Sequence, residues 1–255
     1  MKKILFMSLA LLLAKPNLAI ADCFLATENN KIIKQSGDCK SRHTPCSTFK
    51  IAISLMGYNE GILIDETHPE LPFKEGYVDY VESWKHPQTP TSWMKNSCVW
   101  YSQITTQKLG IKKFSDFLQK FNYGNYDTSG DVGKNNGLTE SWLGSSLQIS
   151  PQEQVTFLQK LLDNKLPVSI KAQEMTKNIL FVEDLSDGWK LYGKTGSCDS
   201  TDSDAQTGWF VGWIQKESRI IIFADYLEDE KKLSYSGGKQ AKEQARRKLM
   251  TLIRL

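Results

Sequence analysis

The apolar spacing of this chain changes period twice, and that limits its folds more than any other feature. Residues 23–27 and 31–34 read as two short strands, and Glu28, Asn29 and Asn30 between them are turn formers. From Ser47 the spacing becomes helical, with Ile51, Ala52, Leu55 and Met56 on one side and Gly57 or Gly61 as the stop. Residues 65–185 continue as mainly helical sequence with irregular loops. Within them Ser150, Pro151 and Glu153 form a strong helix start: a capping hydroxyl, a proline suited to the first helical position, and a glutamate that completes a capping box. Val155, Phe157, Leu158, Leu161 and Leu162 then make its apolar face.

After Gly188 the strand pattern returns over 189–192, 207–215 and 219–226. Gly237 and Gly238 precede a final helix. Its Ala245, Leu249, Leu252 and Ile253 share a face, while Lys242, Arg246 and Arg247 read as its solvated side. Consecutive strands with short connections imply antiparallel pairing. The predicted class is α/β of the α+β type. One sheet is built from about 22–40 and 188–255, and a mainly helical region at about 47–185 is inserted between its parts.

At 255 residues and 40% apolar composition, the chain supports one well-packed core. Its 24% charged and 11% aromatic content excludes wholesale disorder. The one long apolar run is N-terminal. Lys2 and Lys3 precede apolar residues 4–14, and Ala19, Ile20 and Ala21 offer small residues around a cleavage point. The run is too short to span a bilayer and is followed by Lys15 and Pro16. Residues 1–21 are therefore expected to be a cleaved export signal, leaving a single domain at 22–255 in the periplasm without a stable membrane anchor. Lys2, Lys3 and Lys15 account for the whole formal charge of +3, so the mature chain is balanced and has no footprint for nucleic acid.

Export implies an oxidising compartment. The five cysteines are Cys23, Cys39, Cys46, Cys98 and Cys198, so at least one is free or pairs outside the chain. Cys23 and Cys39 flank the expected hairpin and are candidates for a bridge. The three histidines, His43, His68 and His86, are scattered, and no C-x-x-C occurs, so no zinc site is expected.

Ser47 and Lys50 place a hydroxyl and an amine at i, i+3, on one side of a helix and close enough for proton transfer. Serine needs a base, and lysine serves only where burial disfavours its ammonium. Phe49, Ile51 and Ile53 would supply an apolar surround. The pattern alone is weak, since Ser92/Lys95 and Ser236/Lys239 repeat it. Its company is stronger: Ser97-Cys98-Val99, then Tyr123-Gly124-Asn125 in an expected loop, then Lys194-Thr195-Gly196 at an expected strand end, then the run from Gly208 to Trp213, in that order.

On these motifs the mature chain resembles the class D serine β-lactamases, the oxacillinases, which share the β-lactamase/transpeptidase-like fold. Tyr123-Gly124-Asn125 and the Trp142 region separate this pattern from class A, which carries Ser-Asp-Asn and a deacylating glutamate. The resemblance implies hydrolysis of the β-lactam amide of penicillin-type antibiotics through a Ser47 acyl-enzyme. Lys50, N-carboxylated by carbon dioxide or bicarbonate, is implied as general base; no metal or bound cofactor is implied. Trp142 would donate its indole N–H to the carbamate and Val99 would cover it. Ser97 would relay a proton to the leaving nitrogen, and Lys194 would hold positive charge beside Ser97 and the substrate carboxylate. Thr195 would bond that carboxylate, and the N–H groups of Ser47 and Ser197 would form the oxyanion hole. Trp84 would be an apolar lip. Gly196, Tyr123 and Asn125 complete the implied substrate-binding set.

The sequence departs from the family in two places. Many members carry an arginine at the start of the last helix to grip the substrate carboxylate. None lies between Arg219 and Arg246 here, which leaves Lys239 or Ser236 as substitutes. Cys46, Cys98 and Cys198 crowd the site and read as small buried residues, open to thiol reagents where exposed. Two rivals use the same serine and lysine: a penicillin-binding sensor that stays acylated, and a D,D-peptidase. A Ser-His-Asp hydrolase is disfavoured because no histidine follows His86. Oligomeric state and preferred β-lactam are not legible.

Overall fold

A computed structural model of the chain describes residues 22–199, 206–229 and 236–253. The expected export signal at 1–21 lies outside the described residues. The chain opens with the hairpin β1 (Cys23–Glu28) and β2 (Lys31–Gly37). A 3₁₀ turn, Cys46–Phe49, leads directly into α1 (Lys50–Asn59). Next come α2 (Pro90–Asn96), α3 (Val99–Leu109), α4 (Ile111–Phe121), the short α5 (Gly137–Glu140), α6 (Pro151–Leu162) and α7 (Ile170–Asn178). Strands β3 (Phe181–Asp184), β4 (Lys190–Asp199), β5 (Gln206–Lys216) and β6 (Arg219–Asp229) follow, and α8 (Gly237–Leu252) closes the described chain.

The six strands form one sheet in the order β2-β1-β6-β5-β4-β3, with every neighbouring pair antiparallel. The two chain ends therefore share the sheet, as the change of period implies. Successive side chains of a strand point to opposite faces. Leu25, Trp209, Val211 and Trp213 join the larger core under the helical region. Phe24, Ala26, Phe210 and Ile214 join a second core with Ala241, Ala245 and Leu249 of α8. Both faces of β5 are covered, which explains its nearly unbroken apolar run. The start of α8 lies so close to β5 that a Cβ on Gly208 would sit 2.1 Å from the Gly237 carbonyl oxygen. Both glycines are required by that approach.

α6 begins as expected: Ser150 Oγ accepts from the Glu153 N–H at 3.2 Å, and Glu153 accepts from the Ser150 N–H at 2.9 Å. Three expectations need correction. The inserted region ends earlier than 185, because β3 lies within it. β4 has ten residues, so Lys194-Thr195-Gly196 sits inside a strand and not at its end. The strand is obscured because Gly193 and Gly196 replace apolar residues. The third concerns the cysteines. Cys23 and Cys39 are bridged, with Cα atoms 5.1 Å apart. Cys46 and Cys198 are also bridged, at a Cα separation of 5.8 Å, and are not free small residues. The fold brings together positions 152 residues apart, beyond the reach of local spacing. Cys98 is free and buried.

Candidate active site

The site forms where the turn before α1 and the start of α3 meet β4. Cys46 has a left-handed backbone, φ 51°, and turns the chain so that Ser47 stands at the head of α1. Lys50 Nζ donates to Ser47 Oγ at 3.1 Å. The lysine is fully buried, and desolvation brings its pKa down to about 7. Near neutrality much of it is therefore the free amine, the form that accepts a proton.

Ser97 ends α2 in a left-handed conformation, φ 59°. That turn directs Oγ toward β4, where Lys194 Nζ donates to it at 2.9 Å. Lys194 also donates to Thr195 O at 2.9 Å and lies 3.4 Å from Thr195 Oγ1. Its pKa is pushed well below the usual lysine range, first by burial and then by the charge of Lys50. The site thus holds two buried amines, each on a serine hydroxyl, and the charge of Lys50 disfavours that of Lys194. The Cys98 thiol is raised to about 11 by burial, so it remains protonated and is no nucleophile.

Trp142 is fully buried against Phe49 and Phe114, with ring centroids 5.4 and 6.1 Å away. Its indole N–H has no hydrogen-bond partner among the described residues, a costly state for a buried donor. Val99 is half-buried as the first residue of α3.

Backbone alternation fixes the role available to Ser197. The Gly193 N–H donates to Leu180 O, toward the β3 side, at 2.8 Å. The β4–β5 register is regular over Lys190–Asp199, so the Ser197 N–H points to the same side. β3 pairs with β4 only as far as Tyr192, which leaves the Ser197 N–H on the edge beyond it. Gly196 lets that edge meet the nucleophile turn: a Cβ there would lie 2.9 Å from Pro45 O. Ser197 Oγ accepts from the Gly238 N–H at 2.9 Å, so Ser236 and Lys239 at the head of α8 stand beside it.

The remaining expected residues are held by packing and hydrogen bonds. Tyr123 is 1% exposed, wedged between Phe49 and Phe157. Asn125 accepts from the Asp127 and Gln148 N–H groups and donates to Ser146 O. Tyr123 thus packs behind the turn that carries Ser47, and Asn125 ties its loop to the segment before α6. Trp84 is also mostly enclosed, 7% exposed, with its indole donating to Asn96 O at 2.8 Å. The exposed aromatic face above it belongs to Tyr80, 87% exposed.

Sequence reasoning missed Thr44 and Gln154. Thr44 Oγ1 donates to Trp142 O, and Trp209 Nε1 donates to Thr44 O. Gln154 donates to Thr48 Oγ1, which donates to Pro45 O. These bonds hold the turn from outside, and their partners are too distant in sequence for any local signal. Two surface grooves, one along Arg42 and α6 and one along Leu185 and α8, contain none of the site residues.

The penicillin binding protein transpeptidase domain family matches residues 22–250. Beta-lactamase OXA-9 of Klebsiella pneumoniae is 39% identical over 216 residues, covering 82% of this chain and 79% of its own. This chain belongs to the class D serine β-lactamases. The crystal structure of the class D β-lactamase OXA-427 aligns with a TM-score of 0.86 at 42% identity, over 91% of this chain and 98% of that one. The C-terminal domain of the Bacillus licheniformis BlaR penicillin receptor shares the fold at a TM-score of 0.80 and 28% identity, over 91% of this chain and 90% of its own. As a class D member the enzyme is a serine hydrolase of β-lactams.

Proposed function

We propose that this enzyme hydrolyses the β-lactam amide of penicillins through an acyl-enzyme on Ser47, with Lys50 as the seat of the base. One observation carries the reading: a fully buried lysine, brought to a pKa of about 7, lies 3.1 Å from the Ser47 hydroxyl. Carbon dioxide joined to that neutral amine supplies an anionic base, and the unpartnered Trp142 N–H is a fitting donor for such an anion.

Lys50 takes the Ser47 proton as Oγ attacks the lactam carbonyl. The developing oxyanion lies between the N–H groups of Ser47 and Ser197. Ser97, already bonded to Lys194, gives its proton to the departing nitrogen and takes back the one collected at Lys50, which frees the base for the next step. Negative charge at Lys50 turns the repulsion between the two lysines into attraction and offsets the burial that chiefly lowers the Lys194 pKa, so Lys194 keeps its proton beside the substrate carboxylate. Thr195 bonds that carboxylate, with Ser236 or Lys239 in place of the family's arginine. Val99 limits water around Lys50. Export to the periplasm with loss of residues 1–21 is part of the same reading; among the described residues no helix is long and apolar enough to cross a membrane.

The likeness to a penicillin receptor supplies the second reading, in which Ser47 is acylated once and stays so. Counting penicillin molecules hydrolysed per mature protein molecule, with bicarbonate present, separates the two. Many turnovers are expected, and one stoichiometric burst would favour the receptor. Ser47→Ala is expected to abolish acylation; a penicilloyl adduct on that variant, read by mass spectrometry, would overturn the nucleophile.

A further inference from the structure

Cys46 precedes the nucleophile, and Cys198 follows the residue whose N–H faces the open edge of β4. Their disulfide therefore joins the two segments that carry the oxyanion donors. We propose that this bridge is a positioning element of the active site, setting the separation of the Ser47 and Ser197 N–H groups. The proposal rests on the reading of Ser47 as nucleophile.

Three observations support a positional role beyond general stability. Cys46 holds a left-handed backbone, φ 51°, a conformation that persists in a non-glycine residue only where surroundings enforce it. The bridge fixes its side chain to the neighbouring strand. Second, β4 has β5 on one side throughout, but β3 on the other only to Tyr192. Beyond Gly193 its edge meets the nucleophile turn, and the disulfide is the covalent tie across that junction. Third, positions 194, 196 and 198 share one face of β4 by alternation. Lys194 reaches Ser97, Gly196 meets the turn, and Cys198 ties it. The same face thus carries the charge, the close approach and the clamp. The other bridge, Cys23–Cys39, only closes the first hairpin.

An oxyanion donor is worth about 10²–10³ in rate, and its value depends on placement to a fraction of an ångström. A loosened clamp is expected to lower the acylation rate by about 10–100-fold. A purely stabilising bridge would lower the melting temperature and leave the rate untouched below it.

The test compares the mature wild-type enzyme with Cys198→Ala at 25 °C, using stopped-flow acylation by a chromogenic penicillin. A second readout is inhibition by an arylboronic acid, whose boron takes up Ser47 Oγ as a tetrahedral anion with an oxygen at the oxyanion position. The expected result is a parallel loss in acylation rate and boronate affinity. Dithiothreitol treatment of a Cys23→Ala/Cys39→Ala background gives the same comparison without a new side chain at the site, and covers any failure of Cys198→Ala to fold. There the bridge takes two electrons and two protons from the dithiol, which closes to its own cyclic disulfide. The loss should appear on reduction and reverse on re-oxidation. Unchanged acylation and boronate affinity in both comparisons would overturn the clamp while leaving Ser47 as nucleophile. A wild-type enzyme that is never acylated would overturn the nucleophile and, with it, this inference.

Discussion

The two faces of the sheet bury ionisable groups in opposite ways. On the α8 face Asp225 is fully buried, and Lys248 of α8 donates to both its carboxylate oxygens, at 2.8 and 3.1 Å. On the helical face Lys50 and Lys194 are buried on serine hydroxyls, with no carboxylate among the described residues bonded to either. One face meets the cost of a buried charge with its opposite; the other leaves that cost standing. The contrast separates a group kept for structure from groups kept for chemistry. A neutral amine is useful only if nothing nearby restores its charge.

Lys50→Met should show the largest effect. The substitution keeps an unbranched chain of similar volume and removes the amine. Turnover is expected to fall by about 10³-fold or more, the scale of a lost general base. Stability should move the other way. The folded Lys50 pKa, about 7, lies below the unfolded value of 10.5, so the native state binds fewer protons across that window. Wild-type stability therefore rises with pH from about 7 to 10.5. The variant lacks that slope, and its gain in melting temperature should be greatest at and below pH 7. Calorimetry without bicarbonate at pH 6.5 and 9 checks this; a variant less stable at both would break the contrast between the faces.

Trp142→Phe comes next. It preserves the packing against Phe49 and Phe114 and removes only the unpartnered N–H. Acylation should survive, deacylation should slow by about 10–100-fold, and added bicarbonate should restore part of the loss. The burst and steady-state phases of penicillin hydrolysis separate these steps. Wild-type deacylation in that variant would remove the indole from the mechanism.

The site was legible where its parts are local. Ser47 and Lys50 are one helical turn apart, and Ser150 with Glu153 caps α6 through contacts three residues apart, so spacing proposes both, and the ordered company of Ser97, Lys194 and the run from Gly208 singles out the first. The sheet was legible because its period differs from that of the helices between its parts. Contacts across the fold were not. Lys194 meets Ser97 across 97 residues, a pairing that the family resemblance implies and local spacing does not, and Cys46 meets Cys198 across 152, which neither implies. The Tyr123-Gly124-Asn125 motif marks the family; that Tyr123 packs between Phe49 and Phe157 is visible only in the fold. β3 was hidden because four residues with Glu183 and Asp184 among them carry no strand period.

The smallest effect tests the paired face. Burial raises the Asp225 pKa to about 6 even with Lys248 beside it. A raised acid pKa means the native state binds more protons than the unfolded one between about 4 and 6, so stability falls as pH rises through that window. Lys248→Met removes the partner, raises the Asp225 pKa further and extends the window upward. Its cost should be about 1–3 kcal/mol at pH 8 and clearly smaller at pH 5, where Asp225 is mostly protonated in either protein. Turnover at 25 °C should not change, because β5 and β6 separate Asp225 from Ser47 by side-chain face. Melting temperatures of both proteins at pH 5 and pH 8 measure the gap. An equal gap at both values would mean that Lys248 contributes by packing its stem over Phe24, where its Nζ lies 4.9 Å from the ring centroid, and that charge pairing does not distinguish this face from the catalytic one.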